Sequence, residues 1–367
     1  MPQNNKPPGC LFLLPFLVEK SLPTTLARHL RKRGRNAFIA EYLITPPEYP
    51  HDGMDDFRQE NLLLDLKNYN WLNGLPVLKE FCLENNIKLI VQVGAPDAYL
   101  QLPHLRYDLP DVVILDWLFN PYGHTLRHFL HENAIDAAVL ESQFMHEFYC
   151  NNSVKENPKT HVVLSGVDLS DFHFVDRKLT KRLTVGYFGR LSDEKNPFGF
   201  IEIAKEVGKN YPNMDFVILG GGPQKKEISD AVDAANMGDQ LQYLGFAPSA
   251  HEALASLDVL IVPSKYDGRP VAVMESSATG TPMIAAPVGG IPEMIVEGVN
   301  GVTVDPEDFT KIGKTLDEWH KDPKAYSALR KAARSYALKE FEFDRMIDDY
   351  DDLFKSYLES NPAMASD

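Results

Sequence analysis

The stretch Leu183-Thr-Val-Gly-Tyr-Phe-Gly189-Arg190-Leu-Ser-Asp-Glu-Lys195-Asn-Pro197 runs from a short apolar segment through a glycine and a polar loop to a proline suited to a first helical turn. Strand, loop and helix in that order are the unit of a parallel sheet. Similar apolar runs recur at 215–219, 257–262, 282–286 and 301–304, separated by longer stretches of helical period. Upstream, 10–14, 37–40, 87–93 and 112–115 read as strands, and 24–33 as a helix ending at Gly34. The alternation predicts an α/β chain with two doubly wound units. The polar stretch 166–178, after a strand at 161–164, places the linker, giving an N-terminal domain 1–170 and a C-terminal domain 171–342. Within 343–360, Ile347, Tyr350, Leu353, Phe354, Tyr357 and Leu358 recur at helical spacing, which predicts a closing helix with one buried stripe; 361–367 reads as a disordered tail.

The composition narrows the function. With 52 acidic against 37 basic side chains in 367 residues, the net charge of −15 disfavours nucleic acid as a partner. Cys10, Cys82 and Cys150 have no spacing that suggests a disulfide framework or a zinc site, so a reducing cytoplasm is expected and no metal is assigned. The apolar run 10–18 is shorter than the roughly 20 residues a membrane span needs and lacks a small-residue cleavage site. One local exception is basic: Arg28, Arg31, Lys32, Arg33 and Arg35 crowd the end of the first helix. They read either as cations favoured at a helix C-terminus or as a patch for an anionic acceptor or the inner face of a membrane.

Three segments carry candidate chemistry. After Gly189, Arg190 offers a planar fork and Lys195 a point charge just ahead of a helix N-terminus, a pattern that suits a diphosphate and equally describes two solvated cations. Gly220-Gly221-Gly222-Pro223 follows a strand and permits either close backbone approach to a ligand or a tight turn. In Ser264-Lys-Tyr-Asp267-Gly268-Arg269-Pro270-Val271-Ala-Val-Met-Glu275, Asp267 lies in a loop at a strand's carboxyl end and Glu275 in the next helix, on the side where open α/β sheets bind ligands. A carboxylate there suits a vicinal diol.

Taken in order, Gly189-Arg-Leu, Leu219-Gly-Gly-Gly-Pro223, Tyr243-Leu-Gly-Phe246, Asp258 to Ser264, the spaced carboxylates closed by Gly280-Thr-Pro282, Gly289-Gly-Ile-Pro-Glu293 and Asn300-Gly301 resemble the nucleotide-binding half of the retaining GT-B glycosyltransferases of family 4. The resemblance covers roughly 183–340, with Ser165-Gly-Val-Asp168 similar to the family's domain junction. It implies two Rossmann-like domains facing a central cleft, with the closing helix crossing back to the N-domain. It also implies a metal-independent transferase that moves a hexosyl group, with retention, from a UDP- or GDP-sugar to a sugar, glycan, lipid-linked or protein acceptor. No cofactor is implied, the nucleotide sugar being a substrate. Arg190 and Lys195 would hold the diphosphate beside Gly189, Gly221 and Gly222, and Glu275 the ribose. Asp267, where the family usually has Glu, would face the transferred sugar, with the main chain of Gly268, Arg269, Pro270 and Val271 alongside and Phe246 bordering the base.

The amino-terminal half departs from that pattern. Pro15-Phe-Leu-Val-Glu-Lys20-Ser21 stands where family members often carry a Gly-Gly loop, and Asp116 stands near the place of the usual N-domain histidine. His124 is the nearest substitute, although His124, His128 and His131 also fit one helix face. The alternatives to transfer are a catalytically silent GT-B partner domain and a nucleotide-sugar epimerase or hydrolase.

Overall fold

The computed structural model describes residues 6–18, 21–45, 55–247 and 249–359. Two compact units divide the chain, one drawn from Met1–Leu164 with Arg345–Asp367 and the other from Ser165–Asp344.

The first unit holds a seven-stranded sheet. Its strands are β1 (Gly9–Leu14), β2 (Asn36–Glu41), β3 (Leu63–Asp65), β4 (Ile87–Gln92), β5 (Val113–Leu118), β6 (Ala137–Leu140) and β7 (Thr160–Val162), in the order β3-β2-β1-β4-β5-β6-β7. Every pairing is parallel. β1, with sequence GCLFLL, is buried along its whole length, as a central parallel strand covered on both faces must be. The second unit repeats the plan with β8 (Leu183–Phe188), β9 (Met214–Leu219), β10 (Leu241–Gly245), β11 (Val259–Val262), β12 (Met283–Ala285) and β13 (Gly301–Thr303), in the order β10-β9-β8-β11-β12-β13. Strands β3, β6 and β10 are additions to the sequence reading. β3 and β6 are only three and four residues long, and β6 opens with two alanines, so neither carries a strong strand signal.

The closing helix is Phe343–Leu358, and from Arg345 onward it belongs to the first unit. Ile347, Tyr350 and Phe354 are buried, with Tyr350 4.8 Å from the Trp117 ring and Phe354 5.9 Å from Phe12. Its acidic face takes up the basic cluster: Arg33 pairs with Asp348 at 2.6 Å and Arg35 with Asp351 at 2.7 Å, while Arg28 pairs with Asp56 and Arg31 with Glu60. Four of the five cations read as a membrane or acceptor patch therefore already face carboxylates.

The domain boundary falls at 164/165 rather than 170/171, because residues 165–167 are built into the second unit. Val167 N donates to Phe341 O at 3.0 Å, and Gly166 lies so close to Glu342 that a β-carbon would meet its carbonyl oxygen at 2.7 Å. Burial pushes the Cys10 and Cys82 thiols up to about 12, while Cys150 is exposed. Among the described residues no helix is long and apolar enough to cross a membrane. The tail 361–367, with Glu19 and Lys20, lies outside the described residues.

Candidate functional site

In the second unit the chain leaves β8 for β9 on one side of the sheet and later returns to place β11 on the other. That reversal is a topological switch point, where the loops beyond the strand ends part and leave a crevice. A cavity of about 360 Å³ lies there, lined by Gly189 beyond β8, Pro263 and Ser264 beyond β11, and by Lys195, Asp267, Arg269, Pro270, Val271 and Glu275.

The two loops are stitched together by an asparagine side chain and by a backbone hydrogen bond. Asn196, in left-handed conformation (φ 55°), caps the helix Pro197–Asn210 by accepting from Gly199 N and reaches across to donate to Pro263 O at 2.9 Å. Lys265 N donates to Glu194 O at 2.9 Å. This stitching delivers Lys195 Nζ to within 2.5 Å of Asp267 Oδ2, which also accepts from Ser264 Oγ at 3.4 Å. Asp267 is held from behind as well. Its carbonyl accepts from Gly290 N at 3.1 Å, and Gly289 (φ 56°) sits so close that a β-carbon there would overlap that carbonyl oxygen. Only glycine satisfies both the conformation and the space.

Glu275 projects from the helix Val271–Thr279 into the cavity wall, and burial pushes its carboxyl up to about 7. The wall thus offers one cation already matched by a carboxylate, a second carboxyl that titrates near neutrality, and the N-terminus of a 14-residue helix beside them. Such a set can hold an anion near Lys195 and hydroxyl donors near the two carboxyls.

Several expected site residues lie elsewhere. Arg190 is exposed and is not part of the cavity lining, though its carbonyl accepts from Tyr187 OH at 2.6 Å. Gly221, Gly222, Phe246 and Gly268 do not line it either. The glycine run serves contact with protein: a β-carbon on Gly222 would meet Leu191 O at 2.5 Å, and one on Gly221 would overlap the Phe246 ring. Arg269 does line the cavity, yet its buried guanidinium is directed at Ser165 O and the Phe341 ring.

In the first unit, Asp116 is fully buried in β5, where its Oδ2 accepts from Tyr99 OH and from His128 Nδ1, each at 2.7 Å. It is a core group and cannot stand in for an accessible histidine. His128 is buried with it and lies 3.0 Å from Tyr149 OH, while His131 stacks on Tyr99, burial lowering its pKa. His124 alone of the cluster keeps clear of this network; half-buried, its Nε2 lies 3.0 Å from Trp117 O. Ser264 and Asn196 are the site residues the sequence reading passed over. The signal for Asn196 was its place as an N-cap before Pro197.

Two Rossmann-like parallel-sheet units, with the closing helix returned to the first, are the GT-B class of fold. Residues 170–336, which contain the whole cavity, match the family model described as glycosyl transferases group 1. The chain is similar to the Anabaena protein Alr3699/HepE solved in complex with UDP (TM-score 0.74, 15% identity, 95% of this chain and 100% of that one). It is also similar to sucrose-phosphate synthase from Thermosynechococcus elongatus (TM-score 0.76, 17% identity, 97% and 100%). At these identities the likeness is one of fold. Among curated relatives it is 33% identical over 120 residues to a 2-deoxystreptamine N-acetyl-D-glucosaminyltransferase of Streptomyces fradiae, covering 31% of this chain and 28% of that protein. Over 122 residues it is 30% identical to the Vi polysaccharide biosynthesis protein VipC/TviE of Salmonella typhi, covering 33% and 21%. The chain thus spans less than a third of the length of these two relatives.

Proposed function

We propose that this chain is a glycosyltransferase of family 4 that moves a hexosyl group from a UDP- or GDP-sugar to a sugar, glycan, lipid-linked or protein acceptor, in the cytoplasm, with retained anomeric configuration and without a metal ion. The observation that carries the reading is the Lys195–Asp267 pair beside Glu275 in a cavity at the switch point, within the segment matched by the family model. Similar folds solved with UDP support a nucleotide donor.

In this mechanism the bond between the anomeric carbon and the diphosphate oxygen breaks while a bond to the acceptor hydroxyl oxygen forms on the same face. The hydroxyl proton passes to an oxygen of the leaving phosphate. Lys195, the helix N-terminus at Pro197 and Arg190, moved in from its exposed position, stabilise the charge that grows on the diphosphate. Glu275 accepts from the ribose hydroxyls, Asp267 faces the transferred sugar beside the backbone of 268–272, and Phe246 borders the base. His124 is the residue proposed to act from the first unit.

The test is a thermal-shift panel of UDP, GDP, ADP and their sugars, since a ligand of the folded state raises stability by RT ln(1 + [L]/Kd). Product analysis against acceptor pools follows with the donor that binds. A protein whose melting no nucleotide raises does not have this function, and tight nucleotide binding with no turnover would make it a silent partner domain.

A further inference from the structure

Arg269 lies two residues beyond Asp267, and its side chain points out of the donor loop into protein, where the residue is 7% exposed. Its Nε donates to Ser165 O at 3.1 Å, and its guanidinium carbon lies 5.6 Å from the centroid of the Phe341 ring. Ser165 and Phe341 belong to the two segments by which the chain enters and leaves the second unit. These segments are paired with each other: Val167 N donates to Phe341 O, Val167 bridges Glu342 in parallel, and the absent side chain of Gly166 lets the two backbones close together. One side chain therefore joins the donor loop to both segments.

The backbone is held on both sides of Arg269. Pro270 fixes the backbone directly after Arg269 at φ −64°, and the Gly290 hydrogen bond pins Asp267 directly before Gly268. A guanidinium suits the connection because its planar fork donates to a carbonyl while its face stacks on an aromatic ring.

We propose that Arg269 is a positioning residue that couples occupancy of the donor cavity to the paired segments 165–167 and 341–342, and is not a ligand of the donor diphosphate. The proposal rests on the donor-site reading above. Whatever shifts Asp267 when Lys195 turns to a diphosphate is carried through the loop to both segments, and by linkage their order feeds back on the cavity.

The experiment uses the full chain with UDP, or whichever of GDP and ADP the panel selects. Hydrogen exchange is followed with and without nucleotide in the wild type, Arg269→Gln and Arg269→Lys, alongside calorimetry and kinetics. In the wild type, nucleotide is expected to slow exchange both in 263–275 and in 165–168. Arg269→Gln is expected to keep Kd and donor KM within about threefold and to retain protection in 263–275. It should lose protection in 165–168, with kcat down about tenfold. Arg269→Lys, which keeps a cation over Phe341 and a donor near Ser165, is expected to regain about half of the lost protection; it carries the test alone if Arg269→Gln does not fold. Wild-type protection in 263–275 without any in 165–168 overturns the coupling. Loss of more than about tenfold in nucleotide affinity in Arg269→Gln makes Arg269 a ligand and also overturns it. If no nucleotide binds the wild type, the donor-site reading falls first and this proposal with it.

Discussion

Replacing Glu275 by glutamine exchanges an oxygen for an amide nitrogen in a carboxyl that burial pushes from its ordinary 4.5 up to about 7. A ribose diol presents two O–H donors, and an ionised carboxylate accepts both where a protonated one does not. Donor binding in the wild type then requires the ionised form. The observed Kd is multiplied by 1 + 10^(pKa − pH), which is roughly elevenfold at pH 6, about twofold at pH 7 and close to unity at pH 8. A carboxyl whose folded-state pKa is raised contributes stability that is full below about 4.5 and lost as the pH rises through about 7. Ligand engages the ionised form and offsets that loss, so the ligand-induced rise in Tm should grow from pH 6 to pH 8.

The amide of Glu275→Gln cannot ionise, so the variant should show no such slope. It also forfeits charge-assisted hydrogen bonds worth about 1.5–3 kcal/mol, which at pH 8 is about 10- to 150-fold in Kd. The assay is calorimetry with the nucleotide sugar rather than the nucleoside diphosphate, because a terminal phosphate titrates near pH 6 and would mask the signal. Titration in two buffers of different ionisation enthalpy should report about half a proton released at pH 7 by the wild type and none by Glu275→Gln. A wild-type Kd that stays flat from pH 6 to pH 8, or an equal slope in the variant, would refute the assignment of Glu275 to the ribose.

Lys195→Ala strands Asp267, whose side chain is 8% exposed, and should lower both Tm and turnover, the latter by about 10²–10³. Adding Asp267→Asn should restore Tm but not activity, with a coupling of about 1–3 kcal/mol; additive losses would mean the pair does not interact. Gly289→Ala should leave the circular dichroism unchanged and cut kcat about 10- to 100-fold by displacing Asp267, and wild-type kinetics would show that the loop tolerates the shift. Phe354→Ala should cost about 3–5 kcal/mol and raise hydrogen exchange in β1 and β5 while sparing β8 and β11; protection unchanged in the first unit would count against that packing.

Much of the fold was legible because buried parallel strands leave continuous apolar runs, as in the GCLFLL of β1 and the VLIV of β11. The closing helix was legible because its stripe, with Ile347, Tyr350 and Phe354, keeps helical spacing to the end. Lys195, Asp267 and Glu275 could be picked out because glycine and proline punctuate the strand ends that carry them. The glycine run 220–222 was less informative: glycine marks a close neighbour without saying whether that neighbour is a ligand or, as with Leu191 and Phe246, protein. The basic cluster was opaque for another reason. Arg33 and Arg35 find Asp348 and Asp351 at separations of 315 and 316 residues, which no local pattern encodes.

The charge balance of the cavity connects these residues to Arg190. Lys195 faces Asp267, burial pushes the Glu275 carboxyl up to about 7 and the Arg269 head is turned to Ser165 O, so each cation of the lining would have to leave a partner before contacting a ligand. A diphosphate ester brings two negative charges, and in a cavity of low dielectric these are costly unless matched. The helix N-terminus supplies about half a charge, and Lys195 can turn from Asp267 only by leaving that carboxylate to another donor. A sugar hydroxyl is such a donor, which gives Asp267 a partner at the moment it yields the lysine. Half a charge and one lysine in direct contact fall short of two, and the Arg269 charge, turned to Ser165 O, adds to them only from a distance. Arg190, exposed, next in sequence to the cavity-lining Gly189 and five residues before Lys195, is the nearest cation in sequence able to make up the difference without first breaking a buried contact. A role for Arg190 in transfer thus requires its side chain to move toward the diphosphate, drawn by the charge of that group.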